Sequence, residues 1–557
     1  MNCCKWAVSL LLVSSLLSCG KKHKTTGPPE PAIVPRPLEM QAGKGEFVIN
    51  HRTKIITEAG NAEYASLGGY LAQKISSLYG YDLLLAERKG IQGEENAILL
   101  VPSWTVNDLG GEGYELTIED NRILITANRP QGAFYGIQSL LQLLPLTSDT
   151  AARVKHQGDI PVGTAFVHDK PSFGWRGMHL DVSSHFYPVR FIKKFIDLMA
   201  SQKINRFIWH LTGDNGWRLE IQSLPGLTSV GAWRAGRNQV DWNNREPRKK
   251  GEIAAYGGYY TREDIEEIVD YAGNRFVEII PEISLPGNTL AALAAYPQYA
   301  CIPGPFDVAT GAVGEHDEHI LCAGKPETLT FIDKILEEVM LFFPGECVSI
   351  GSTSFSKADW ETCPRCLQKA SAEGLRQTGD LEVYIVNHVK DFLESKGRRL
   401  VVLDEEGIVG SSSAVLIYPA QPSAAGSTDH QVVVSPAEFS FDTYFTRQDE
   451  GGSQAILRQL YENSALKGIQ AMGLQGRVRT GYLEVFSDVE MCLVPFMGVL
   501  SEFAWCVKPG EDFSDFGQRM EALTKRLREE GYRPWESRKS IPAEQQAAKA
   551  DSLASGS

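Results

Sequence analysis

The chain carries two distinct rhythms of apolar and polar residues. Tyr114-Glu115-Leu116-Thr117-Ile118 and Ile123-Leu124-Ile125-Thr126-Ala127 place apolar side chains at alternate positions around the turn Glu119-Asp120-Asn121-Arg122. That is the period of a half-buried strand pair. From Gly132 to Leu144 the spacing becomes helical, with Phe134, Ile137, Leu140, Leu141 and Leu143 on or near one face. Strands followed by a helix predict a small two-layer α+β domain, placed at residues 33–168. Past Lys170-Pro171, short apolar runs alternate with amphipathic stretches such as Pro188 to Gln202 and Leu329 to Phe343. Strands are predicted at Trp175 to Asp181, Arg206 to Leu211, Phe276 to Ile283, Cys347 to Ser352, Leu400 to Asp404, Ala414 to Tyr418, Val432 to Ser435 and Gln470 to Gln475. Eight strands alternating with helices predict an α/β fold, a (β/α)8 TIM barrel over residues 169–510. A doubly wound open sheet is the competing architecture, but no G-x-G-x-x-G turn follows an early strand to support its nucleotide-binding form. Residues 511–557 read as a helix and a polar tail.

The first residues break this pattern. Lys5 precedes an apolar run from Trp6 to Leu17, too short for a membrane-spanning helix and suited to the core of a signal peptide, residues 1–18. Leu16-Leu17-Ser18-Cys19 resembles a bacterial lipobox, which predicts lipidation of Cys19 and an anchored protein of the cell envelope, facing the periplasm or cell surface. The polar stretch 19–32 serves as a tether. At 557 residues, 43% of them hydrophobic, the chain has material for two folded domains. Its formal net charge of -14 argues against nucleic acid as a partner, since phosphate binding needs clustered Lys and Arg.

Ten cysteines occur, and Cys3, Cys4 and Cys19 belong to the export segment. In an oxidising periplasm Cys301 with Cys322, and Cys363 with Cys366, are candidate disulfide pairs. Cys363-Pro364-Arg365-Cys366 by itself lacks the second ligand pair of a zinc site, so neither a metal nor a cofactor is expected.

In a barrel of this kind the chemistry lies at the C-terminal ends of the strands. Those ends hold polar and aromatic side chains suited to sugars, which offer apolar faces to rings and hydroxyls to Arg, Asp and Glu. Several of these strings resemble family 20 β-N-acetylhexosaminidases: Trp175-Arg176-Gly177-Met178-His179-Leu180-Asp181, Trp209-His210-Leu211-Thr212, Gly216-Trp217-Arg218, Pro281-Glu282-Ile283 and Leu285-Pro286-Gly287. Trp360 with Cys363 and Cys366, Glu502-Phe503-Ala504-Trp505, and the stretch Gly132 to Leu144 extend the resemblance over about Ile33 to Cys506. It implies a small α+β domain before a TIM barrel, and N-acetylhexosamine-containing glycans as partners. The family mechanism is substrate-assisted: a Glu protonates the leaving oxygen, and an adjacent Asp orients the acetamide that attacks the anomeric carbon.

The family's G-G-D-E matches Gly351-Ser352-Thr353-Ser354, so Thr353 and Ser354 stand in place of the Asp and the Glu. A hydroxyl is too weak an acid to replace a tuned carboxyl, which typically supplies a factor of about 100 to 10,000 in rate. Other positions depart too. Asn288 follows Pro286-Gly287 in place of His, Leu403 precedes Asp404-Glu405 in place of Trp, and Ser440 replaces the Tyr before Asp442. Gly213 replaces the first Asp of a pair, Arg479-Thr480-Gly481 replaces W-x-E, and Tyr418 stands for the sixth-strand Trp. The resemblance assigns substrate contacts to Arg176, Asp181, His210, Asp214, Trp217, Glu282, Asp404, Glu405, Tyr418 and Asp442. The plainer readings are a buried polar network for Asp181, His210 and Glu282, loop packing for Trp217, and a solvated rim for Asp404 and Glu405. Arg479 adds a charge that favours an acidic sugar or sulfate, unless Asp442 or Glu484 neutralises it.

Two functions follow. One is a glycan-binding or scaffold protein that has lost the catalytic pair. The other is an active glycosidase with relocated carboxylates, drawn from Glu282, Asp404, Glu405 and Asp442, about 5 Å apart if retaining and roughly 6.5 to 9.5 Å if inverting. A misaligned motif in an ordinary hexosaminidase fits less well, because Ile350-Gly351 and Trp360 flank the substituted segment at the family's spacing.

Overall fold

The computed structural model describes residues 32–535, apart from 91–92, 104–107, 149–157, 238–239, 315–318, 353, 405–412, 420–430, 446–451, 507–508 and 510. Cys19, Thr353 and Glu405 lie outside the described residues. No helix among the described residues is long and apolar enough to cross a membrane.

The first sheet contains β1 (Glu39–Ile49), β2 (Lys54–Glu58), β3 (Leu84–Arg88), β4 (Ala97–Pro102), β5 (Tyr114–Ile118), β6 (Arg122–Ala127) and β7 (Ile160–Asp169), in the order β1-β7-β5-β6-β4-β2-β3. The hairpin expected from alternation is β5–β6, with Tyr114 opposite Ala127 and Ile118 opposite Ile123. Tyr114, Leu116, Ile118, Ile123, Ile125 and Ala127 are buried, as a period of two requires. The helix Pro130–Leu143 packs on β5 and β6. It also touches the barrel: Phe134 meets Phe276 with the rings tilted, and Tyr135 meets the edge of Trp505.

The barrel comprises β8 (Trp175–Asp181), β9 (Arg206–Gly213), β13 (Glu278–Ile283), β14 (Cys347–Ser352), β15 (Arg399–Leu403), β16 (Val415–Tyr418), β17 (Gln431–Val434) and β18 (Gly473–Val478). All eight run parallel, and β18 pairs with β8 to close the ring. The short β10 (Gly216–Trp217) folds back on β9, and β11 (Trp233–Arg234) pairs with β12 (Tyr256–Gly257) in the loop that follows. The predicted start at Phe276 moves to Glu278, because Phe276 has φ +56° and ends a turn instead of opening a strand. The last strand also shifts, from 470–475 to Gly473–Val478, since β18 follows β8 in register as far as Val478 opposite Leu180.

Inside the ring, Trp175, Ile208, Ile280, Cys347, Val401, Val415, Ile417 and Val433 form a closed apolar layer. Alternation then dictates what lies above it. Two residues further along their strands come His210, Glu282, Ser349, Leu403 and Ser435, and four residues past Trp175 comes His179. Apart from Leu403, the barrel interior thus turns from apolar to polar within one step of the pleat.

Candidate functional site

A cleft of about 690 Å³ opens at the C-terminal end of the strands. Its floor is a hydrogen-bonded cluster carried by four adjacent strands. His179 Nε2 lies 3.0 Å from Glu282 Oε1, and Ser349 Oγ donates to Glu282 Oε2 at 2.7 Å. His210 Nδ1 lies 3.6 Å from both Glu282 Oε1 and Asp181 Oδ1, while its Nε2 is 2.9 Å from Ser284 Oγ. Register accounts for the convergence: Asp181 and Glu282 both sit opposite His210, and Glu282 sits opposite Ser349.

Both carboxylates are fully engaged. Asp181 accepts from the backbone and hydroxyl of Ser183 and of Ser184, and from Thr480 Oγ1. Burial works against its ionised form, but the His210 charge and the serine hydrogen bonds prevail and hold its carboxyl well below the usual range. Burial likewise opposes ionisation of Glu282. The charges of His179 and His210, with hydrogen bonds from His179 and Ser349, nonetheless bring it down to about 2.

The walls come from loops. Asp214 accepts from Leu290 N at 2.9 Å, tying the second-strand loop to the segment that follows Asn288. Trp242 forms one wall with Gly481 packed against its indole, and Asn243 Nδ2 donates to the exposed Tyr482 hydroxyl at 2.6 Å. Asp442 accepts from Arg479 N at 3.2 Å, and its Oδ2 lies 3.5 Å from Arg479 Nε. The guanidinium of Arg479 is 63% exposed beside the cleft, whereas Glu484 pairs with Arg245. At the end of β14, Ser352 and Ser354 line the cleft, and Ser354 N donates to Ser352 Oγ.

Asp181, His210, Asp214, Glu282, Asp442, Arg479 and Ser354 therefore lie together in the cleft, as the strand-end reading expects. Arg176 and Trp217 do not. Arg176 is 1% exposed and reaches away from the cleft, donating to Lys203 O, Phe173 O and Tyr135 Oη and pairing with Glu112. It stands an odd number of residues before Asp181 on a regular strand, so the two side chains take opposite faces. Trp217 is buried, with Nε1 donating to Leu219 O, and packs the loop. Asp404 is buried as well, which corrects the solvated-rim reading; Tyr418 Oη approaches it at 3.4 Å, and neither residue lines the cleft.

Five further residues that the family strings do not single out line the cleft: His179, Arg477, Trp242, Asn243 and Tyr482. Strand alternation back from Asp181 places His179 inside the barrel, and alternation forward from Gln475 does the same for Arg477. Trp242 and Tyr482 sit in irregular loops, where no periodic signal marks them.

The comparisons with known proteins agree with this architecture. The description "Glycosyl hydrolase family 20, catalytic domain" matches residues 173–506, and "Glycosyl hydrolase family 20, domain 2" matches residues 30–164. The chain belongs to glycosyl hydrolase family 20. It is 32% identical to a Beta-hexosaminidase of Porphyromonas gingivalis over 92% of this chain, and 30% identical to a Beta-hexosaminidase of Vibrio furnissii over 74%. The chain covers 66% and 64% of those relatives' lengths. Among solved structures, the GH20 beta-N-acetylhexosaminidase from Streptomyces coelicolor aligns with a TM-score of 0.74 at 25% identity, over 92% of this chain and 99% of that one.

Proposed function

We propose that this family 20 member binds glycans without hydrolysing them by the substrate-assisted route. The carrying observation is the end of β14: the described residues there present the hydroxyls of Ser352 and Ser354 to the cleft, where that mechanism needs a carboxylic acid. The surviving acids support the same reading. Asp181 and Glu282 are both held ionised by a shared histidine, His210, and by separate hydroxyl partners, so neither retains a proton to give a leaving oxygen. Asp442 faces Arg479.

The cleft keeps what sugar binding requires. Trp242 and Tyr482 offer aromatic surface, Asn243 and Asn288 offer amide groups, and Arg477 adds a cationic donor, while the pairing with Asp442 offsets the charge that Arg479 would otherwise offer an acidic or sulfated glycan. The amino-terminal Leu16-Leu17-Ser18-Cys19 supports display from the bacterial envelope through a lipid on Cys19.

Purified protein incubated with an aryl N-acetylglucosaminide tests the loss of hydrolysis. The expected result is no release above buffer. Family-typical turnover abolished by Glu282→Gln or Asp442→Asn overturns the reading in favour of relocated carboxylates. A glycan-array signal that disappears in Trp242→Ala separates a binding protein from an inert scaffold. Metabolic labelling with a fatty acid, retained in the native chain and lost in Cys19→Ala, tests the anchor.

A further inference from the structure

Away from the cleft, four cysteines from three loops converge. Cys301 follows the turn Pro297–Tyr299, Cys322 precedes the helix Pro326–Phe342, and Cys363 and Cys366 open the helix Pro364–Ala372. Their sulfur atoms all lie within 4.8 Å of one another. Cys301 Sγ is 3.6 Å from Cys366 Sγ, and Cys322 Sγ is 3.6 Å from Cys366 Sγ and 3.8 Å from Cys363 Sγ. A disulfide would place its sulfurs about 2.0 Å apart. Four thiolates around one zinc ion, each about 2.3 Å from it, sit about 3.8 Å from each other along the edges of a tetrahedron. These three separations match the edges of that tetrahedron, and all four cysteines are free.

The surrounding backbone is built for the same purpose. A Cβ on Gly324 would meet the carbonyl carbon of Arg365 at 2.3 Å and the nitrogen of Cys366 at 2.5 Å, so the two turns approach as closely as main chains permit. Lys325 Nζ donates to Gln298 O and Ala300 O at 2.6 Å each, lashing the Cys301 loop to the Cys322 loop.

We propose that Cys301, Cys322, Cys363 and Cys366 bind a single structural zinc ion as a closed tetrathiolate site. The tetrahedral all-sulfur donor set suits zinc, and four protein ligands leave no open position for substrate. On binding, each thiol gives up its proton to solvent and its sulfur donates an electron pair to the metal. The Cys363-x-x-Cys366 pair looks insufficient in the sequence because its partners are dispersed, and the barrel brings the loops after β13 and β14 together to supply them. The knot also bears on the cleft. Trp360, three residues before Cys363, donates to Leu321 O and meets Phe355 edge-on, and Phe355 fills the space over Gly287. A metal at this point would hold the wall behind Ser352–Ser354 in place.

The test uses the full chain, purified without chelators. Elemental analysis should find about one zinc per chain. The four thiols should resist alkylation until a mercurial releases the metal. The double variant Cys363→Ser with Cys366→Ser should lose the zinc and melt lower. Cys301→Ser, which alters the most exposed ligand, should stay folded but surrender zinc to a chelator far faster than the native chain. Native protein that is free of metal, with these cysteines either disulfide-bonded or reactive as thiols, overturns the proposal without recourse to any variant. Stoichiometric iron in place of zinc overturns it too.

Discussion

His179 Nε2 and Glu282 Oε1 meet at 3.0 Å across the barrel mouth, from strands separated by β9, and His210 of β9 lies beside both. Because this contact favours the ionised carboxylate, it has a pH signature. The folded-state value of Glu282 is depressed from 4.5 to about 2, so its contribution is fully present above the unfolded value and is lost as pH falls from about 5 toward 2. The shift corresponds to on the order of 3 kcal/mol at neutral pH. Chemical denaturation across this range should show native protein well above Glu282→Gln at pH 6, with the gap closing by pH 2 to 3. A constant gap would mean that packing, not charge, carries the interaction.

Arg176 and Trp242 should separate stability from binding. The Arg176 guanidinium lies between the two domains, against Glu112, Tyr135 and Trp505. Removing one member of a buried, hydrogen-bonded pair typically costs about 3 to 5 kcal/mol. Arg176→Ala is therefore expected to lower the melting temperature sharply, with any glycan affinity lost only in proportion to unfolding. Trp242→Ala should instead reduce glycan binding while the far-UV spectrum and cooperative melt survive. Measuring both variants by calorimetry with and without glycan distinguishes the two cases.

The barrel was legible because its strands alternate around one buried layer and its helices carry amphipathic faces. The same alternation makes Asp181, His210 and Glu282 readable as strand-end residues. Strand parity decides what the family strings leave open: Arg176 and Asp181 share a strand but not a face. His179, two residues before Asp181, shares its face by the same parity. Trp242 and Tyr482 were beyond reach, since loop paths follow from tertiary contacts such as Gly481 on Trp242. The four cysteines show the same limit, because sequence spacing alone suggested neighbours in the chain, whereas the fold sets Cys301 against Cys366.

Lys203 and Asp169 form a second charged tie between the domains. Both are fully buried, and Lys203 Nζ lies 2.8 Å from Asp169 Oδ2 and 2.9 Å from the Tyr114 hydroxyl. Asp169 also accepts from Trp505 Nε1 and Leu38 N. Burial pushes the Lys203 ammonium below its ordinary value despite the attraction of Asp169. Lys203→Met should cost about 3 to 5 kcal/mol by leaving a buried carboxylate without its cation. Lys203→Met combined with Asp169→Asn should recover part of that loss, and a double-mutant cycle in urea reads the coupling directly.

Closure of the barrel depends on a glycine. A Cβ at Gly473 would lie 1.9 Å from Trp175 O and 2.7 Å from Trp175 C, which are backbone atoms of β8 and cannot rotate aside. Gly473 is also paired with Trp175 in the ladder that seals the ring, so relief requires separating the two strands. Overpacking in a core commonly costs about 1 to 3 kcal/mol even where side chains yield, and here a main-chain seam must open. Gly473→Ala is expected to exceed that range, whereas Gly69→Ala, with nothing within 4 Å of the added carbon, should be neutral or slightly stabilising in its helix. Hydrogen exchange on Gly473→Ala should show protection lost first along β18 and β8. Uniform loss across all eight strands would place the weak seam elsewhere.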